Sequence, residues 1–180
     1  MRKIVAGLHM SLDGVIESPE KWSFDYYCDE VGQSIKSRRD ATGTLLLGRR
    51  TYEEFAGVWP GQSGEIADFM NNTPKLVAST TLTSAEWAGS TLLEGDVATA
   101  LTALKQDPDL PEGNITITGS ATLVQSLVYA GVLDELHLLV CPIVLGTGKR
   151  LFAGTGRAPL RLAGSAAFSS GVAHLTYQPV

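Results

Sequence analysis

Short apolar runs alternate with segments of helical periodicity along this chain, and this alternation constrains the fold more than any other feature. Residues 45–47 are a continuous leucine run closed by Gly48, which is typical of a strand buried on both faces. Residues 123–128 place apolar side chains at helical spacing. The predicted strands are 3–10, 44–47, 75–79, 90–93, 115–118, 135–140, 160–168 and 172–178. Because the last two form an antiparallel hairpin, the pattern predicts an α/β domain with a mixed sheet.

Length and composition indicate one ordinary globular domain. At about 150 residues per domain, 180 residues predict a single domain spanning 1–180. The content of 44% hydrophobic and 18% charged residues excludes a disordered chain. The net charge of −5 excludes a globally basic surface, so we expect neither nucleic acid nor an anionic membrane as a partner. A local basic pocket for a small anion is compatible with this charge.

Cysteine and apolar patterns exclude further classes. Cys28 and Cys141 form no CxxC pair and no cluster with histidine, so we expect no disulfide framework and no metal site. The longest apolar stretch, 136–145, contains His137 and Pro142 and is too short to cross a bilayer. The N-terminal apolar stretch is too short for a signal peptide. We therefore expect a soluble, cytoplasmic protein.

Two other features are predicted to be structural. Residues 146–150 (Gly-Thr-Gly-Lys-Arg) lack the third glycine of a dinucleotide motif, and no Ser or Thr follows the Gly-Lys pair as a P-loop requires. A glycine-rich turn is the favoured interpretation. His9, His137 and His174 are far apart in sequence within strand-like segments, where a half-buried imidazole is more frequent than a catalytic base.

A buried strand followed by Gly48, Arg49, Arg50 and Thr51 is the strongest local signal. The start of a helix offers unpaired N–H groups and a positive dipole potential, so it holds anions well. Two arginines can add charge-assisted hydrogen bonds, and a threonine supplies a hydroxyl. The segment predicts a phosphate site, with two surface arginines as the alternative.

Two further strand ends carry small and hydroxyl-bearing residues. Ser79 and Thr80 follow one predicted strand. Gly119 and Ser120 lie between another strand and a helix, where small residues let the backbone approach a pyrophosphate closely. Each turn alone is unremarkable. Three such ends in one α/β sheet predict a site for a phosphate-rich ligand such as a dinucleotide.

Several of these motifs also occur together in one known family. Residues 47–52 match a G-R-x-T-[WY] segment, residues 118–123 match a G-G-x-x-L turn, and residues 10–16 look like the family's first loop. Residues 131–152 contain the most diagnostic stretch, P-x-x-x-G-x-G. The chain thereby resembles the dihydrofolate-reductase-like superfamily, and especially the reductase domain at the C-terminal end of bacterial bifunctional riboflavin deaminase–reductases.

The resemblance implies a three-layer fold with a mostly parallel central sheet, helices on both faces and a C-terminal antiparallel hairpin. It also implies NADPH as cofactor, with the first loop beside the nicotinamide and the strand ends on the phosphates. The implied cofactor-binding residues are Gly14, Val15, Gly48, Arg49, Arg50, Thr51, Ser79, Thr80, Gly119, Ser120, Ala121, Thr122 and Leu123.

What the resemblance implies chemically is hydride transfer from NADPH to a small heterocycle or sugar imine, as in 5-amino-6-(5-phosphoribosylamino)uracil reductase of riboflavin biosynthesis. Asp13, Asp25 and Asp29 are the candidate proton donors or substrate anchors. Asp13 has an Asp-Gly turn residue as its alternative role, and Asp25 and Asp29 have solvated helix-start acids as theirs. Trp22 and Phe24 could stack on a flat substrate ring, or pack a lid.

Two departures from the family pattern keep other functions open. Gly119-Ser120 replaces the usual Gly-Gly pair, and no acid aligns with the carboxylate that dihydrofolate reductases hold on the helix after the first loop. Dihydrofolate reductase activity and a non-catalytic NADPH-binding protein are the alternatives. We expect a small-molecule substrate as the partner, and the resemblance implies a homodimer. A chain of this length has no room for the deaminase domain of the bifunctional enzymes.

Overall fold

A computed structural model describes residues 2–153 and 156–180. The strands are β1 (Ile4–Ser11), β2 (Thr42–Gly48), β3 (Lys75–Ala78), β4 (Ser90–Leu92), β5 (Asn114–Thr118), β6 (Glu135–Cys141), β7 (Leu160–Ala167) and β8 (Ala173–Pro179). The helices are α1 (Asp29–Asp40), α2 (Arg49–Val58), α3 (Glu65–Asn72), α4 (Val97–Leu104) and α5 (Ala121–Tyr129). Single 3₁₀ turns cover Pro19–Lys21, Phe24–Tyr26 and Trp59–Gly61.

The eight strands form one mixed sheet in the order β4-β3-β2-β5-β1-β6-β8-β7. Every pair from β4 to β6 is parallel, and β8 pairs antiparallel with both β6 and β7. Parallel neighbours need long crossover connections, and the helices supply them. This arrangement confirms the α/β fold class, the mostly parallel sheet and the C-terminal hairpin.

Helices cover both faces of the sheet, so the structure has three layers. On one face, α4 and α5 pack against inward residues of the central strands, such as Leu46 and Ile117. On the other face there are two separate apolar clusters. One joins α2 and α3 to β2 through Leu47, Tyr52 and Met70, with Trp87. The other joins α1 to β6. The sheet between these two clusters is the floor of a cavity.

Each of the eight predicted strands corresponds to an observed strand. The segment between β1 and α1 contains two 3₁₀ turns before α1 begins at Asp29. These turns are too short to produce a detectable apolar period. Among the described residues, no helix has the length and apolar character needed to span a bilayer.

Candidate functional site

The carboxyl ends of β2, β3 and β5 lie side by side, because these strands are parallel neighbours. β2 continues directly into α2, and β5 reaches α5 through Gly119 and Ser120. Hydrogen bonds connect the two turns: Gly48 N donates to Ser120 Oγ at 2.8 Å, and Ser120 N donates to Thr51 Oγ1 at 3.1 Å. The Ser120 hydroxyl also donates to Thr51 Oγ1 at 3.0 Å. Two of the predicted phosphate segments therefore form one connected surface.

The turn between β5 and α5 has an unusual backbone. Gly119 and Ser120 both adopt left-handed conformations, with φ of 67° and 56°. A Cβ atom at position 119 would lie 3.0 Å from Thr51 Cγ2, so this close approach requires glycine. For a serine, the left-handed conformation costs on the order of 1–2 kcal/mol, which the hydrogen bonds to Gly48 and Thr51 offset. Backbone strain of this kind is concentrated at ligand sites.

Three cationic side chains surround this turn. Arg49 is half-buried and pairs with Glu53 at 3.3 Å, one turn along α2. Arg50 is exposed and makes no ion pair or hydrogen bond with the residues that the structure describes. Lys149 reaches from the glycine-rich turn to the first turn of α5, where its Nζ donates to Thr122 Oγ1 at 2.7 Å. No side chain caps the N-terminus of α5, so its first N–H groups can meet an anion next to Lys149.

Ser79 and Thr80 follow β3 at the same edge of the sheet. The Ser79 hydroxyl accepts hydrogen bonds from Thr81 N at 3.2 Å and from Leu82 N at 3.0 Å, so it closes a local turn. Thr80 is exposed. Of this pair, the Thr80 hydroxyl is the one that is free to meet a ligand.

Asp13 joins the first loop to the glycine-rich turn. Its carboxylate accepts hydrogen bonds from Ser11 Oγ at 2.7 Å, Leu145 N at 3.1 Å and Gly146 N at 2.9 Å, and it pairs with Arg150 at 3.4 Å. The bonds from Ser11 and Leu145 hold the pKa of Asp13 well below its usual range. At neutral pH the Asp13 side chain is therefore an ionised carboxylate, which accepts hydrogen bonds and has no proton to donate. This geometry favours the turn-residue role over the proton-donor role.

The remaining first-loop residues lie at the same contact between the first loop and the glycine-rich turn. Gly14 has φ of 86°, which favours glycine. Val15 is buried and forms an isolated antiparallel bridge with Arg150. The predicted glycine-rich turn thus packs against the first loop, and it brings Lys149 to the strand ends.

The other residues predicted for catalysis and substrate binding differ in their exposure. Asp25 and Asp29 are exposed, and Asp29 opens α1, where an acid interacts favourably with the helix dipole. Phe24 is 69% exposed. Trp22 is buried, and its Nε1 donates to Glu17 O at 2.9 Å. Of these four residues, Trp22 lines one of the two cavities described next, and the other three line neither.

Two cavities lie on the α1 side of the molecule. The larger, of about 410 Å³, is an open depression between the first loop and the glycine-rich turn, and Trp22 and Val15 line it. The smaller, of about 200 Å³, lies between the two apolar clusters described above. Its lining residues are Gly7, Ile35, Arg38, Arg39, Thr42, Leu45, Phe55, Trp59, Ile66, Phe69, Met70, Thr116, Ile117 and Thr118. Thr118 immediately precedes Gly119, so this cavity adjoins the phosphate-suited edge.

Arg38 lies in the smaller cavity, directly over the backbone of β1. A Cβ atom at Gly7 would lie 2.6 Å from Arg38 Cζ, so the absence of a side chain at position 7 makes room for the guanidinium. Burial lowers the pKa of Arg38 to about 10, which leaves it charged at neutral pH. Its neighbour Arg39 forms ion pairs with Glu65 and with Asp40. Arg38 has no such partner among the described residues.

Three histidines lie near Arg38 on adjacent strands. The register of β6 and β8 brings His137 Nδ1 within 3.2 Å of His174 Nε2, with the rings stacked. His137 Nε2 lies 3.1 Å from a carboxylate oxygen of Glu135. Burial and the positive charge of Arg38 lower the pKa of His9 to about 4. Burial lowers the pKa values of His137 and His174 as well, and Arg38 adds to the effect. The predicted half-buried imidazoles are confirmed, but their proximity was not predicted.

Sequence reasoning missed Arg38, Trp59 and Lys149. Val31, Ile35 and Arg38 are spaced as i, i+4 and i+7, so the sequence does place an arginine on the apolar stripe of α1. A charged residue on the apolar stripe of a helix indicates a polar site beneath that helix, so Arg38 could have been found from the sequence. Lys149 offered no comparable signal, because only tertiary structure brings it to α5.

Comparison with known proteins agrees with this architecture. Residues 2–174 match the family model of the RibD C-terminal domain. The uncharacterized protein YwjB of Bacillus subtilis (strain 168) is 31% identical over 176 residues, which cover 95% of this chain and 95% of YwjB. A Shewanella sp. PV-4 protein provisionally assigned to riboflavin biosynthesis aligns with a TM-score of 0.79 at 20% identity, covering 100% of this chain and 99% of that one. Dihydrofolate reductase from Enterococcus faecalis, solved with NADP(H), aligns with a TM-score of 0.63 at 18% identity, covering 98% and 96%. The chain therefore belongs to the RibD C-terminal domain family and has the dihydrofolate-reductase-like fold.

Proposed function

We propose that this protein is an NADPH-dependent reductase that transfers a hydride to a C=N or C=O carbon of a small molecule. The observation that carries the proposal is the connected surface of Gly48, Thr51, Gly119 and Ser120, held in a strained conformation beside the unpaired Arg50. Family membership supports a reductase, and the cavity beside this surface supplies a place for the acceptor.

The residues at the strand ends fit a dinucleotide phosphate group. The turn at Gly119 and Ser120 lets the chain approach closely, and the uncapped start of α5 offers N–H groups to a pyrophosphate. Arg50 and Lys149 would neutralise phosphate charge, and Thr80 would reach the adenosine end. NADPH, when bound, supplies the hydride.

The chain's own contribution is to hold the acceptor beside the cofactor. The acceptor gains a hydride at carbon and a proton at its nitrogen or oxygen. Asp13 is a bonded carboxylate, and no Asp or Glu lines the smaller cavity among the described residues, so we propose that the proton comes from solvent. The hydroxyl groups of Thr42 and Thr116 lie 2.8 Å apart in the wall of the cavity. They would make polar contacts with the bound acceptor.

Reduction of dihydrofolate is the less favoured alternative. The resemblance implies an acid facing the pterin in those enzymes, whereas the helix that follows the first loop here presents Arg38 to the cavity. A guanidinium donates hydrogen bonds and accepts none, so it cannot hold a protonated ring as a carboxylate does. We therefore favour a small C=N or C=O acceptor other than dihydrofolate.

Titration of the purified protein with NADPH and with NADH, followed by ligand fluorescence, tests the cofactor. We expect NADPH to bind, and Arg50→Met to weaken that binding about tenfold, because a charge-assisted contact is lost. Arg161→Met, which removes an equal charge from exposed β7, is the matched control and should bind as the parent protein does. Absence of binding by either nucleotide at millimolar concentration would overturn the proposal.

Turnover separates an enzyme from a non-catalytic NADPH-binding protein. NADPH oxidation is measured with a panel that contains the riboflavin pyrimidine precursor, dihydrofolate, and small imines and carbonyl compounds. We expect oxidation with the precursor, an imine or a carbonyl compound. Tight NADPH binding without oxidation across the panel would favour the non-catalytic protein.

A further inference from the structure

The smaller cavity contains a positive charge that the protein itself leaves unneutralised. Arg38 has no ion pair and no side-chain hydrogen bond with the described residues, whereas Arg39 beside it pairs with Glu65 and Asp40, and Arg150 pairs with Asp13. Arg38 is half-buried, and a guanidinium drawn largely out of water without a partner loses solvation free energy, so native proteins rarely retain one without a reason. The position is built for it, since Gly7 provides the space.

The groups facing Arg38 do not compensate its charge. On β1 and β8 the facing titratable groups are His9 and His174, and on β6 they are His137 and Glu135. Glu135 is engaged by Lys3 at 2.8 Å and by His137 at 3.1 Å. The positive charge of Arg38 therefore acts on the three imidazoles and on whatever enters the cavity.

The rest of the cavity is divided between polar and apolar walls. Thr116 and Thr118 line the sheet side, and Phe55 and Trp59 line the helix side. Arg38 is therefore the cationic donor that faces the aromatic rings of Phe55 and Trp59 across the cavity. A charged donor next to aromatic rings is suited to a flat ligand that carries acceptor oxygens.

We propose that this cavity binds a small aromatic or unsaturated carboxylate, with Arg38 as the residue that binds its charged end. A guanidinium binds a carboxylate through two parallel hydrogen bonds, and the aromatic walls formed by Phe55 and Trp59 favour a flat carboxylate over a tetrahedral phosphate. The volume of about 200 Å³ is below the range of about 300–1,000 Å³ that holds drug-sized ligands, so the ligand is about one ring in size.

This inference rests on the proposed function in one respect. If the protein is a reductase, the bound acid is its hydride acceptor or resembles it, because the cavity adjoins the strand-end surface at Thr118. The binding of the carboxylate itself does not depend on NADPH, so the two proposals are tested separately.

Calorimetric titration with benzoate and with benzamide tests the inference on the full chain. The two probes have the same ring and nearly the same shape and differ in charge. We expect benzoate to bind at least tenfold more tightly than benzamide, and inorganic phosphate to bind more weakly than benzoate. Equal binding of benzoate and benzamide, or no benzoate binding by a folded protein, would overturn the proposal.

Two variants assign the effect to Arg38. Arg38→Met removes the charge, and Gly7→Ala keeps the charge but displaces the guanidinium from the floor of the cavity. Both should weaken benzoate binding at least tenfold while leaving benzamide binding nearly unchanged. Arg161→Met is again the charge-matched control and should bind benzoate as the parent protein does. Benzoate binding that survives in Arg38→Met would contradict the assignment.

NADPH titration of the same samples distinguishes the two proposals. If NADPH binds and benzoate does not, the carboxylate site is wrong and the reductase proposal stands. If benzoate binds as expected and NADPH does not, the carboxylate site stands and the cofactor proposal is wrong.

Discussion

At the scale of single residues, the least expected feature is the half-buried charge of Arg38, which pairs with none of the residues that the structure describes. Arg38 occupies a position on the buried stripe of α1 that a methionine could fill with less loss of solvation. Polar groups in binding sites often lower stability in this way, because they are selected for the ligand rather than for folding.

Arg38→Met is therefore expected to stabilise the protein. We expect the free energy of unfolding to rise by about 1–3 kcal/mol, since an unpaired buried charge is replaced by an apolar side chain of similar length. Urea denaturation at pH 7.5 measures this. Arg39→Met, which breaks the ion pairs with Glu65 and Asp40 without relieving an unpaired charge, is the control and should not stabilise.

Replacement of Asp13, in contrast to that of Arg38, is expected to destabilise the protein. Asp13→Asn replaces one acceptor oxygen by a donor and weakens the contacts to Leu145, Gly146 and Arg150. Thermal unfolding should occur at a lower temperature than in the parent protein. If Asp13 only connects the two loops structurally, the pH profile of NADPH oxidation keeps its shape in the variant. Loss of one limb of that profile in the variant would show that Asp13 is a proton donor.

At the scale of elements, sequence pattern was enough to locate strands and helices but not to place them beside one another. Runs such as 45–47 show burial directly, because a strand covered on both faces is apolar throughout. The order of strands is a long-range property, so the pairing of β6 with β8 that brings His137 to His174 has no local signature. Arg49, Thr51 and Ser120 could be named because a strand, a glycine and a helix start follow in sequence. Trp59 and Lys149 acquire their neighbours only through folding.

Ser120 offers a test of how the connection between β5 and α5 is stabilised. Ser120→Ala loses the two hydrogen bonds of the hydroxyl, with Gly48 N and Thr51 Oγ1, but keeps the left-handed backbone, so we expect a loss of about 1–3 kcal/mol in unfolding free energy. Ser120→Gly loses the same bonds but relieves the conformational cost, so it should be less destabilising by about 1 kcal/mol. Urea denaturation of both variants measures the difference. Equal losses would mean that the left-handed conformation carries no cost here.

At the scale of the whole molecule, the three histidines make stability depend on pH in the acid range. The folded state lowers the pKa of His9 to about 4 and also lowers the pKa values of His137 and His174, so the unfolded chain binds more protons below about pH 6.5. Stability is therefore complete above about pH 7 and is lost as the pH falls from about 6.5 toward 4. For His9 alone the loss approaches about 3 kcal/mol.

Urea denaturation at a series of pH values between 7.5 and 4.5, in steps of roughly half a unit, measures this dependence. Arg38→Met is the informative companion, because it removes the charge that adds to all three shifts. Its stability should fall less steeply with decreasing pH. Parallel curves for the variant and the parent protein would show that Arg38 does not contribute to the histidine pKa shifts.

The placement of Arg38 over Gly7 has one consequence for how the molecule exchanges protons with its surroundings. An anion that neutralises Arg38 also weakens the repulsion that Arg38 exerts on His9, His137 and His174, so their affinities for protons rise. Anion binding and proton uptake are then linked, and each must favour the other by the same factor. Between pH 7 and pH 5 the protein should bind a carboxylate more tightly as acidity increases, even though the carboxylate itself does not change its charge there.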